Sequence, residues 1–183
     1  MSVALSGALA ALLLPGPSHG YELHATLEAE LGSLWVTRPS QVYLTLGRMT
    51  RDGLVVTQRI HQETRPDRQL LTLTEAGRRV AEDWLTAGPP DELVVRVAVA
   101  RLVAADRFTA LLTAMTDERT ETLHRLRAAR ASDIGGFRAE ARDAEIRAVE
   151  AQLHWLESVR ERADELVARP RARPIDDQAA ELA

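Results

Sequence analysis

Cysteine is absent from the 183 residues. No disulfide, thiol nucleophile or cysteine-ligated metal or iron–sulfur centre is therefore available. Lysine is absent as well, so all 23 basic residues are arginine, and there is no asparagine. Both gaps fit a GC-rich genome, so the missing lysines alone do not mark functional selection of arginine. Long apolar runs are also lacking. Val3–Leu14 is apolar apart from Ser6 and Gly7 and stops at Pro15, and Leu93–Ala105 is interrupted by Arg96 and Arg101. A membrane-spanning helix needs roughly 20 apolar residues. A secretory signal would place Lys or Arg before the apolar run and a small-residue cleavage site after it. Neither is present, and both runs are expected to be buried helices of a cytoplasmic protein without membrane contact. The chemistry of an enzyme is missing too. The histidines His19, His24, His61, His124 and His154 are scattered. His24 and Glu28 share a helix face without a third ligand. Gly135-Gly136 reads as a helix break and not a phosphate loop. No catalytic residue, metal site or cofactor is expected.

What is present is a globular composition, 45% hydrophobic and 27% charged. The net charge is −4, which counts against a nucleic-acid partner for the chain as a whole. The order of elements changes that reading. Ser2–Leu14 predicts a first helix, ended by Pro15-Gly16-Pro17. Ser18 is placed to cap a second helix with Tyr21, Leu23, Leu27 and Leu31 on one face and Gly32 at its stop. Pro39 and Ser40 start a third, carrying Val42, Tyr43, Leu46 and Met49 up to Asp52-Gly53. Leu54–Ile60 and Gln69–Thr74 are short β-type runs around a turn with Pro66-Asp67, which predicts a hairpin with an arginine-bearing tip. Thr74-Glu75-Ala76-Gly77 opens a fourth helix that runs to Leu85.

Gly88-Pro89-Pro90 is the clearest boundary. It predicts a domain over 1–88 and a helical domain over 89–168, with a disordered Pro- and Arg-rich tail over 169–183. Asp91 is placed to cap a helix that is apolar nearly all round. A further helix spans Arg107–Arg130. After the break at Ser132–Gly136 a long helix carries Ile146, Val149, Leu153, Leu156, Ala163 and Val167 in a heptad-like seam, with Arg160 in one expected apolar place.

Three helices, a hairpin and a closing helix are the order of a winged helix-turn-helix domain, in which one helix enters the major groove and the hairpin follows the backbone. The fold class is mainly α with a small β-hairpin: an N-terminal winged helix-turn-helix plus C-terminal helices. Charge is unevenly placed. Leu31 to Arg79 holds eight arginines against four acids, whereas the part from Pro89 holds 15 arginines against 18 acids. The partner this predicts is double-stranded DNA.

The motifs carry a family resemblance. His19-Gly20-Tyr21-Glu22-Leu23, Leu34-Trp35, Val42-Tyr43-Leu44-Thr45-Leu46, Asp52-Gly53-Leu54-Val55 and Leu73-Thr74-Glu75-Ala76-Gly77 resemble, in that order, the signatures of PadR-like transcriptional regulators. Asp91-Glu92-Leu93, the helices after it and the Leu153–Leu156 region resemble that family's C-terminal helical domain, of the longer type found in virulence-activator relatives. The family often has Gly-Thr-Ile-Tyr-Pro-Thr-Leu where this chain has Ser40-Gln41-Val42-Tyr43-Leu44-Thr45-Leu46. The resemblance implies a homodimer on an inverted-repeat operator, a ligand-responsive repressor. An activator of the same fold, or an interaction module that has lost DNA binding, are the alternatives. The apolar C-terminal helices supply a reason for the dimer, since they expose more apolar surface than one winged helix covers.

Expected DNA contacts are His19 and Tyr21 at the second helix, Arg38, Ser40, Gln41, Tyr43 and Arg48 at the third, and Arg65 and Arg68 at the wing tip. Gln can bond adenine in a bidentate way, and Ser40 and Gln41 can equally be a helix cap and an exposed polar residue. Tyr43 can donate to a phosphate or pack half-buried. His19 lies where helix N–H groups can meet a phosphate, or is a surface histidine beside a cap. Arg65 and Arg68 are backbone or minor-groove contacts, or an ordinary solvated turn. Trp84 and Trp155 are candidates for lining a site for a small aromatic effector, as the resemblance implies, with core or interface packing as the alternative. Leu93, Val97, Leu102, Val149, Leu153 and Leu156 are the expected dimer contacts.

Overall fold

The computed structural model describes residues 3–32, 35–60, 68–133 and 135–168. Helix α1 (Val3–Leu12) packs against α3, α4 and α5. Its Ala8, Leu9, Ala10 and Ala11 are all buried, which explains the nearly unbroken apolar run. The small residues let neighbours come close. A Cβ added at Gly7 would lie 2.3 Å from the Trp84 ring.

The predicted hairpin is present as β2 (Val55–Ile60) and β3 (Arg68–Leu73), paired antiparallel from Val55↔Leu73 to Ile60↔Arg68. Its tip, residues 61–67, lies outside the described residues. A third strand joins them. Ser18 does not cap a helix but forms β1 (Ser18–His19) with His19, antiparallel to β3 with Ser18↔Leu71 and His19↔Leu70. The sheet order is β1-β3-β2. Helices α2 (Gly20–Leu31) and α3 (Pro39–Arg51) pack on each other, and α3 also meets β2.

Helix α4 (Glu75–Ala87) is capped by Thr74, whose hydroxyl oxygen accepts from Gly77 N–H at 3.0 Å. Gly77 is required by close approach, since its Cβ would stand 1.9 Å from the Leu54 carbonyl oxygen. After Pro89 a short 3-10 turn over Pro90–Glu92 leads into α5 (Leu93–Val103), so Asp91 is part of that turn and not a side-chain cap. Glu92 is buried and accepts from Trp84 Nε1–H at 2.6 Å.

Arg96 is fully buried, although it interrupts an apolar run. Its guanidinium donates to the carbonyls of Gly88 at 2.6 Å and Leu85 at 3.2 Å. It thereby closes carbonyls that the end of α4 leaves without a helical partner. Two expectations about α5 need correction. Leu93, Val97 and Leu102 are already buried within the single chain, and α5 packs on α1, α2 and α4. Most of its apolar surface therefore needs no partner chain to cover it. By its contacts the first compact unit runs through Ala105, so the expected boundary at residue 88 falls between two helices of that unit.

The second unit begins at Asp106. It holds α6 (Phe108–Ala131), α7 (Phe137–Glu161) and α8 (Ala163–Ala168). Gly135 and Gly136, at φ 67° and 77°, turn the chain between α6 and α7 in a conformation that side chains disfavour. Arg130 then bonds Asp143 through two nitrogens at 2.8 and 3.2 Å, and Arg127 reaches Glu150 at 2.6 Å. These pairs fix α6 and α7 as an antiparallel hairpin. The expected long helix is interrupted at Arg162. Its buried line runs through Val149, Leu156, Val159 and Ala163, with Ile146 and Leu153 half-buried. The anomaly at position 160 disappears, because Val159 takes the inward place and Arg160 is exposed.

Candidate nucleic-acid interface

Helix α3 has two distinct faces. Val42, Thr45, Leu46 and Met49 are buried. Ser40, Gln41, Tyr43, Leu44 and Gly47 are exposed, as is Arg38 just before the helix, and Arg48 is half-buried in its last turn. This is the 3.6-residue amphipathic pattern of a helix with one face on the core. Its outward face is unusual in carrying Tyr43 and Leu44, 54% and 52% exposed. The Gln41 side chain is partly engaged. Its Oε1 accepts from the Arg38 backbone N–H at 3.1 Å, so it closes the N-terminus of its own helix.

The start of α2 lies beside this face. Glu22 organises it, its Oε2 accepting from the His19 backbone N–H and the Ser18 hydroxyl, both at 2.8 Å, and its Oε1 from the Tyr21 hydroxyl at 3.2 Å. Burial pushes this carboxyl up. The His19 N–H, the Ser18 hydroxyl, the His19 charge and the Tyr21 hydroxyl outweigh that and hold it below the usual glutamate range. The His19 ring stacks on Tyr21 with centroids 5.6 Å apart and planes 9° apart. Its Nδ1 bonds the Gln69 carbonyl on β3 at 2.9 Å. The β1–β3 pairing brings these two residues, 50 apart in sequence, together.

Gly20 explains why α2 and α3 meet as they do. A Cβ there would stand 2.8 Å from Tyr43 Cε1, so only glycine lets the tyrosine ring lie against the first turn of α2. Around this contact is a groove of about 350 Å³, bounded by α2, α3, β2 and β3. Its lining includes His19, Tyr21, Tyr43, Thr50, Thr57 and Gln69, and none of its lining residues is acidic. The hydroxyls of Thr50 and Thr57 are 3.5 Å apart.

The structure thus joins His19, Tyr21 and Tyr43 in one groove. Arg38, Ser40 and Gln41 cluster at the start of α3 and Arg48 at its end. Arg65 lies outside the described residues. Arg68 is the first residue of β3, and its side chain is not among those described. Thr50, Thr57 and Gln69 were missed by sequence reasoning, because threonine in a helix and on a strand carries no signal until the register is known. Trp84 is a core residue, with its ring against Gly7 and its N–H on Glu92. Trp155 is half-buried on α7. Among the described residues no three His, Asp or Glu side chains are grouped to hold a metal ion. No described helix is long and apolar enough to cross a membrane.

The model of the transcriptional regulator PadR-like family matches residues 9–83, which run from α1 into α4. The negative transcriptional regulator PadR of Bacillus subtilis is 29% identical over an aligned length of 114 residues that covers 57% of this chain and 63% of that protein. The chain therefore spans less than two thirds of that relative. Bacillus subtilis PadR solved with operator DNA is 22% identical, with a TM-score of 0.46 over 88% of this chain and 98% of that one. The same protein solved with p-coumaric acid gives 22% and 0.39 over 88% and 99%. The matched stretch, residues 9–83, includes α2, α3, β2 and β3, which bound the groove and present the outward face of α3, and over that stretch the chain is similar to the transcriptional regulator PadR-like family.

Proposed function

We propose that the chain is a sequence-specific DNA-binding transcriptional regulator that acts as a homodimer on an inverted-repeat operator, most concretely as a ligand-responsive repressor. The observation that carries this reading is the outward face of α3. It presents Ser40, Gln41, Tyr43 and Leu44 to solvent beside a groove without acidic lining residues, in the stretch where arginines outnumber acids. Hydroxyl, amide and apolar groups on one helix face are what reads base edges and thymine methyl groups. Arginines around it supply phosphate contacts. Repression is taken from the name of the Bacillus subtilis relative. A planar aromatic acid is the effector class to test first, after the compound solved with that protein. Trp155 is the aromatic side chain proposed to meet it. Leu153, half-buried on α7, is proposed as a dimer contact, and the cytoplasm as the location.

A gel shift on DNA from upstream of the chain's own gene, with salt titration, tests the reading. Binding that prefers this fragment over a scrambled one, and weakens steeply with salt, is expected. Affinity that neither depends on sequence nor falls with salt contradicts it.

A further inference from the structure

The groove contains a histidine whose proton inventory is set by its neighbour. A backbone carbonyl can only accept, so the 2.9 Å contact to Gln69 requires the hydrogen of His19 on Nδ1. In the neutral ring Nε2 is then a bare acceptor. A phosphate oxygen is also only an acceptor, and the two repel. One added proton reverses this, because the imidazolium donates from both nitrogens, to Gln69 through Nδ1 and to a further acceptor through Nε2. We propose that the groove beside α3 seats a backbone phosphodiester of DNA and that His19 is its proton-dependent donor, so that DNA affinity is linked to proton uptake at this residue.

The inference rests on the DNA-binding reading above and adds to it a titrating contact. Its surroundings are consistent. The ring is held by a stack on Tyr21 and by the Gln69 bond, so it is oriented before any ligand arrives. Tyr43 lines the groove on α3, and Thr50 and Thr57 add hydroxyl groups. The titratable and charged groups nearby are Glu22 and Tyr21 on α2, Tyr43 on α3 and, in the β2–β3 ladder, Arg59 opposite Gln69. Tyrosine and arginine do not change charge between about pH 5.5 and pH 8. Glu22 is held below the usual glutamate range and stays ionised throughout that window. DNA phosphates stay ionised too, so among the described groups of the groove His19 is the one whose donor count depends on an added proton.

The test measures binding of the full chain to a duplex from upstream of its own gene, as a function of salt, at about pH 5.5 and about pH 8. Each phosphate contact adds about 0.9 to the slope of log affinity against log salt, so a dimer with two protonated His19 residues should gain about 1.8 at the lower pH. His19→Gln keeps an amide donor for the Gln69 carbonyl but cannot titrate, and should lose this gain. His24→Gln should keep it, since that residue bonds the Thr37 carbonyl and does not line the groove. Sedimentation of each variant confirms an intact oligomer. Sequence-dependent binding with the same slope at both pH values, or a His19→Gln variant that retains the wild-type gain, overturns the proposal and leaves the DNA reading standing. No DNA binding at either pH overturns both.

Discussion

Gly20 and Tyr43 show how a single missing side chain sets up the interface. The Cβ of Gly20→Ala would intrude to 2.8 Å from the tyrosine ring. Tyr43 must swing away or the two helices must part, at a cost of about 1–3 kcal/mol for overpacking. We expect urea unfolding of Gly20→Ala to show that loss, and its DNA affinity to fall further than the stability change explains. Unchanged affinity would remove Tyr43 from the contact surface. Arg96 gives a second residue-scale prediction. Replacing it by Met keeps the bulk and leaves the Leu85 and Gly88 carbonyls unpaired in the interior. Each costs about 1–3 kcal/mol, so urea denaturation of Arg96→Met should show a loss of about 2–6 kcal/mol. At this scale the sequence was uneven. His19 and Tyr43 stand out by residue type and place in the motif order, and the structure brings both to one groove. Arg96 does not, because an arginine in an apolar run usually marks a solvated edge, and only the end of α4 reveals what it bonds.

At the scale of elements, periodicity located α1 to α6 to within a few residues, and it ran α7 and α8 together as one helix. It failed where an element is too short to have a period. Two residues of β1 cannot alternate, so Ser18 read as a cap, yet that pairing is what carries Gln69 to His19. The seam of α7 was legible for Val149 and Leu156 but not for its last turns. A strict repeat selected position 160, whereas the helix turns Val159 inward before it stops at Glu161. The contrast is testable. Leu156→Ala should cost about 2–5 kcal/mol, and Arg160→Ala should stay within about 0.5 kcal/mol of wild type. Equal effects in thermal or chemical unfolding would refute the assignment of the inward face.

For the whole molecule, pH acts on stability through carboxylates. Hydrogen bonding to Arg130 holds Asp143 below its ordinary range, and the His19 and Ser18 bonds do the same for Glu22 against the opposing effect of burial. A carboxyl depressed by folding adds stability that is complete above its unfolded range, about pH 4. That stability is lost as pH falls through the lower folded value. Unfolding free energy should therefore decline from about pH 5 downward, and Glu22→Gln should flatten part of the decline in denaturant titrations. A decline of the same steepness in the variant would show that Glu22 gains nothing on folding. The net charge of −4 belongs to this scale as well. It averages a basic α3 and wing with acidic helices elsewhere, which is why the total charge concealed the surface that matters.

The contact between Gly20 and Tyr43 also bears on how this chain can diverge. The two positions share one volume, so a lineage that enlarges the first must shrink or move the second. Any substitution at residue 20 would then be felt on the outward face of α3 without lying on it. Among relatives with different operators, these two positions are expected to change as a pair.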